Sequence, residues 1–169
     1  MQRFLLVATL IGLCCLTASA SPESPSGLNL SQPKFIDAAA IVLFASLTPE
    51  DFRRVSDEVV EINMTGRFSN AIRTMPNKPC SVQLLNMAQG VSVYGQFDFS
   101  RLSRDYQQRL GSGFSGVGLR LIGDNIYCDR SRTEVACRGV YDVTTGGVRQ
   151  TGVVLKALSL IARTCPTAD

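Results

Sequence analysis

The sequence predicts an α+β fold: N-terminal helices, an antiparallel β-meander of about four to five strands, and a C-terminal helix packed on the sheet. Two observations carry that prediction. Alanine-rich and amphipathic segments with helical composition and spacing lie toward the two ends. The stretch between them alternates apolar with polar residues at period two and is punctuated by Gly, Asn and Pro.

The chain opens with Arg3, then an apolar run from Phe4 to Leu16, then Ala18-Ser19-Ala20. A short apolar run between a positive residue and a small-residue cleavage site predicts a secretory signal peptide over 1–20, cleaved after Ala20. The run is too short for a membrane span, and Leu13 and Cys14 stand where lipidation of Cys14 or Cys15 would need a small residue. The expected destination is therefore periplasmic or extracellular, with no transmembrane anchor. Residues 21–33, with three prolines and no apolar periodicity, read as a flexible leader, and 34–169 as a single domain.

Lys34 to Leu47 has the composition of a largely buried helix. Thr48-Pro49-Glu50-Asp51 places a capping hydroxyl, a first-turn proline and two carboxylates at a helix start. Phe52, Val55, Val59 and Ile62 then recur at helical spacing, so a second helix is predicted there. After Thr65-Gly66, strands are expected at Cys80–Leu85 and through Val91, Val93, Phe97 and Phe99, with Gly95 as a bulge. Leu102, Tyr106 and Leu110, four apart, predict a short helix over 100–110. Two further strands flank a turn at Gly123-Asp124-Asn125, and Val135, Cys137, Tyr141 and Val143 alternate as another. Thr144 to Gly147 reads as a turn, and Val153 to Arg163 as the closing helix.

The full chain has six cysteines and no histidine. Cys14 and Cys15 leave with the signal. The remaining four are expected to form two disulfides, since no C-x-x-C pair supports zinc. A hairpin turning at Arg132-Thr133 sets Cys128 opposite Cys137, which leaves Cys80 for Cys165. Loss of Arg3 leaves 16 basic against 14 acidic side chains, but residues 21–61 carry 3 basic and 7 acidic and residues 62–169 carry 13 and 7. The basic portion is a candidate anion-binding surface, with Arg101, Arg104, Arg130 and Arg132 as its first residues to test.

Two letter patterns carry no chemistry. Gly111 to Gly116 spells G-x-G-x-x-G, but between a predicted helix and a strand rather than a strand and a helix. Ser31-Gln32-Pro33-Lys34 spells S-x-x-K with proline inside it. Asn29-Leu30-Ser31 and Asn63-Met64-Thr65 are glycosylation sequons, relevant in a eukaryotic host. Without histidine, Ser-His, Cys-His and histidine-metal mechanisms are excluded. The chain has no tryptophan, few aromatics and no basic run interleaved with them, which argues against nucleic acid. No catalytic residue, metal or cofactor is expected. The functional expectation is an exported, non-enzymatic binding or accessory module for an anionic envelope component or another exported protein. The alternative is a small hydrolase using two of Asp98, Asp105, Asp124, Asp129 and Asp142.

Overall fold

The computed structural model describes Leu28 and residues 33–103, 107–110, 117–130 and 134–166. Helix α1 spans Phe35–Leu43, and every residue from Ile36 to Leu43 is buried. Its start is fixed by Asp37, whose carboxylate accepts a hydrogen bond from the Lys34 backbone N–H at 2.8 Å. Strands β1 (Phe52–Arg54), β2 (Val59–Asn63), β3 (Phe68–Met75), β4 (Lys78–Asn86) and β5 (Ser92–Asp98) follow, each antiparallel to the one before. After one 3₁₀ turn at Phe99–Arg101 come β6 (Gln107–Leu110), β7 (Val117–Arg130), β8 (Val135–Thr144) and helix α2 (Val148–Thr164).

The sheet is an antiparallel meander, as expected, but longer, with eight strands rather than four to five. Strand β7 pairs along one side with β8, and along the other with β6 near its start and β5 near its end. Strands β5 and β6 thus share one position in line. The row Val60, Ile72, Leu84 crosses β2 to β4 in register. With Ile62, Val82, Phe97, Leu119 and Leu121 it forms one core with Ile36 and Val42 of α1 and Val154 and Ile161 of α2. Helix α2 packs chiefly on α1 and also touches β7. Leu28 is buried in the same core.

The second helix predicted over 48–62 is not there. Thr48 does begin a capped turn, its backbone N–H and hydroxyl donating to Asp51 Oδ2 at 2.9 and 3.0 Å, but that turn is a single 3₁₀ turn, Pro49–Asp51. The chain then runs as β1, turns at 55–58 and returns as β2. A cap signal reports only the first turn of a helix, and β-branched Val59, Val60 and Ile62 suit a pleated sheet better. Val55, counted in the helical stripe, stays 57% exposed.

The short helix expected over 100–110 is also replaced: 107–110 is strand β6, while 104–106 lie outside the described residues. Pairing with β7 outweighs the local four-residue spacing. The turn expected at Gly123-Asp124-Asn125 is a bulge within continuous β7, where register slips between Ile122 and Tyr127. Asn125 takes a φ of 51°. A Cβ on Gly123 would lie 2.0 Å from the Arg101 carbonyl oxygen, so close backbone approach requires glycine there.

Both expected disulfides are formed. Cys128 and Cys137 are cross-strand partners with Cα atoms 4.0 Å apart. Cys80 and Cys165, 5.6 Å apart, tie β4 to the end of α2.

Candidate ligand-binding cleft

Of the four arginines singled out from the sequence, Arg101 and Arg130 are among the described residues, and these two lie apart. Arg101, on the 3₁₀ turn after β5, lies 3.5 Å from the Asp98 carboxylate. Arg130 ends β7 opposite Val135, whereas the Arg101 backbone lies against Gly123, which faces Gly139, four residues and roughly 13 Å along β8 at strand rise. Arg104 and Arg132 lie outside the described residues, as does Asp105. The other aspartates are dispersed. Asp98 accepts from the Ser100 hydroxyl at 2.6 Å, Asp124 from the Asn125 amide at 3.1 Å, and Asp142 from Arg120 at 2.8 Å. Asp129 sits 3.9 Å from Arg138. Among the described residues no group of three or more Cys, Asp or Glu side chains could hold a metal, and no helix is long and apolar enough to cross a membrane.

The concave feature lies elsewhere, where the end of α1, the Thr48–Asp51 turn and the first turns of α2 meet. A cleft of about 440 Å³ opens there. Its walls are Leu28, Ile41, Ala45, Leu47, Phe52, Val153 and Val154, and its polar groups are Thr48, Glu50, Arg149 and Gln150. Each wall has a local cause. Helix α1 stops at Phe44, so Ala45 and Leu47 fold back as a turn instead of packing on the sheet. Pro49 then redirects the chain into β1, and Phe52 closes the floor. Gly147, at φ 147°, lets the chain enter α2 in a conformation other residues resist. A smaller cavity of about 200 Å³ lies along the same helix–helix seam, with Ile41 and Val153 common to both.

The rim is charged. Backbone hydrogen bonding and the Thr48 hydroxyl hold the Glu50 carboxyl below its ordinary pKa, so it is anionic at neutral pH. Arg149 has no ion-pair partner among the described residues. Gln150 Oε1 is buried without a hydrogen-bond partner. It packs against Gly146, where an added Cβ would come within 2.0 Å of it, and is closed off from solvent.

A second cluster, away from the cleft, is aromatic. The Tyr127 and Tyr141 rings lie 5.1 Å apart, tilted by 49°, Tyr141 meets Phe97 edge-on at 5.3 Å, and the Arg138 guanidinium lies 4.9 Å from the Tyr127 ring centroid. Burial, then the neighbouring phenols Tyr141 and Tyr127, push the Tyr94 hydroxyl up to about 12. The cleft was not legible in the sequence: its residues come from three separate segments, and none is of an unusual type for an apolar wall.

The described chain is thus a meander sheet with a two-helix layer and an apolar, charge-rimmed cleft at one end of that layer. Comparison with protein-family models, with curated proteins and with solved structures gave no match.

Proposed function

We propose that the protein is an exported, non-enzymatic binding module that takes an envelope amphiphile into the cleft between α1 and α2. The apolar cleft of about 440 Å³, with Thr48, Glu50 and Arg149 among its polar lining, carries this reading. The volume falls in the range of small-molecule sites, roughly 300–1,000 Å³, and an apolar wall with a few convergent polar groups is their usual composition. Arg149 complements an anionic head group. Glu50 takes a hydrogen-bond donor from the same head. The ligand class is therefore an apolar chain bearing an anionic group together with an N–H or O–H. Export is supported by the signal-peptide pattern over 1–20 and by two disulfides, which persist in oxidising compartments. Among the described residues Glu50 is the single carboxylate of the cleft wall, so the carboxylate-pair hydrolase draws no support from it. Turnover of any substrate in a glycan screen would restore that alternative.

The test is titration with anilinonaphthalene sulfonate, an anionic apolar dye that carries an N–H, and its displacement by N-dodecanoylglycine. Saturable binding that Val153→Trp weakens about tenfold or more, with unchanged melting temperature, is the expected result. Arg149→Glu should weaken it similarly without touching the core. Non-saturable dye binding, or binding indifferent to both substitutions, overturns the reading.

A further inference from the structure

The open edges of the sheet are built differently. Strand β1, at one edge, has three residues, two of them arginine, and short charged strands are a common way for a natural sheet to blunt an edge. Strand β6, which pairs with β7 in line with β5, has four. Strand β8, on the other side of β7, has ten residues with no proline and no lysine. Among the described residues it pairs with β7 alone, and its principal contacts are all with that strand. Val135 and Val140 are 61% and 41% exposed on it. The register slip places its extra residues in β7, so β8 runs unbroken from Val135 to Thr144. An extended, unbroken strand of this length leaves backbone N–H and C=O groups ready to pair with another strand, and its two charges, Arg138 and Asp142, are of opposite sign.

From this edge we propose that the protein self-associates through antiparallel pairing of β8 with β8 of a second copy, centred on Val140. That register is favoured by charge: Arg138 then stands opposite Asp142 of the second copy, and Asp142 opposite its Arg138. Val140 meets its own symmetry mate, and Gly139 falls opposite Tyr141. Shifting the centre by one residue in either direction removes both cross-strand charge pairs. A two-fold axis perpendicular to the joined sheet relates the copies, so both helix layers lie on the same side of one continuous sheet. The association is isologous and closed, which consumes both β8 edges and leaves the short strands β1 and β6 as the open ones.

Light scattering on the purified, oxidised protein tests this through complementary variants. The wild type is expected to be dimeric. Val140→Lys and Val140→Glu are each expected to be monomeric, because each sets like charges against one another at the axis, and their equimolar mixture should recover a dimer. Val140→Cys, which leaves the strand uncharged, should give a disulfide-linked dimer mapped by peptide analysis to position 140 in both chains. A wild type that remains monomeric at about 1 mM overturns the proposal. So does a Val140→Lys variant that stays dimeric, or a mixture that stays monomeric while both variants keep the wild-type near-ultraviolet circular dichroism.

Discussion

The helix layer and the β7–β8 hairpin are held by the same two kinds of bond, an Arg–Asp pair and a disulfide, yet in opposite settings. At the helix layer, Arg54 of β1 makes a two-pronged contact with Asp37 of α1, its Nε donating to Oδ1 at 2.9 Å, and Asp37 is fully buried. Cys80–Cys165 there joins residues 85 apart in sequence. In the hairpin, Arg120 pairs with Asp142 at 2.8 and 3.0 Å, but half of the Asp142 side chain is exposed. Cys128–Cys137 joins neighbours 9 apart that strand pairing already holds in register. The lesson is that redundancy and solvent set the worth of a bond more than its chemistry does. The helix layer depends on a few long-range ties, and the hairpin has local ones to spare.

Substitutions in the two regions break or sharpen that contrast. The largest effect is expected from removing the long disulfide. By loop entropy, Cys80→Ser with Cys165→Ser should cost about 4.6 kcal/mol and loosen α2 first, against about 2.7 kcal/mol for Cys128→Ser with Cys137→Ser, read as the difference in urea midpoints. Equal costs would show that loop length does not separate the regions. Asp37→Ala should follow closely, at about 3–5 kcal/mol, because it strands a partly buried Arg54 guanidinium without its carboxylate. Exposed Asp142→Asn should cost about 0–1 kcal/mol in the same assay, and a loss as large as that at Asp37 would erase the distinction.

A pH series extends the comparison to the aromatic cluster. The folded Tyr94 pKa, about 12, lies above the unfolded value of about 10, so the folded state keeps its proton longer. Stability from this group is complete below pH 10 and is lost as pH rises toward 12, by up to about 2 kcal/mol after allowance for its partly exposed side chain. Denaturant midpoints from pH 9 to 12 should fall more steeply for the wild type than for Tyr94→Phe, and parallel curves would remove Tyr94 as the cause.

Composition made α1 legible before any coordinates, and periodicity did so for β5, β8 and α2, whose residues repeat with the face or stripe they present. The region 48–62 shows the limit of that reading. Phe52, Val59 and Ile62 satisfy a helical spacing and a strand spacing with a turn equally well over so few residues, and the Thr48 cap cannot say how many turns follow it. The candidate site was less legible than the fold. Arg101 and Arg130 are basic and accessible, which is all that composition reveals, and separation along β7 is a matter of the tertiary path.

What could be read from the amino-acid order alone is local or countable: helical segments toward the two ends of an alternating stretch, an apolar run from Phe4 to Leu16, four cysteines beyond that run, and the lack of histidine. Even the disulfide pairing followed from it, because one hairpin register assigned Cys128 to Cys137 and counting did the rest. Only the tertiary structure decided the number of strands, the continuous course of β7 through Gly123, and the cleft among Ile41, Phe52, Arg149 and Val153. Those features are sums over contacts between segments far apart in the chain. Local propensities of a few tenths of a kcal/mol per residue yield to such contacts when burial of a whole apolar face is at stake.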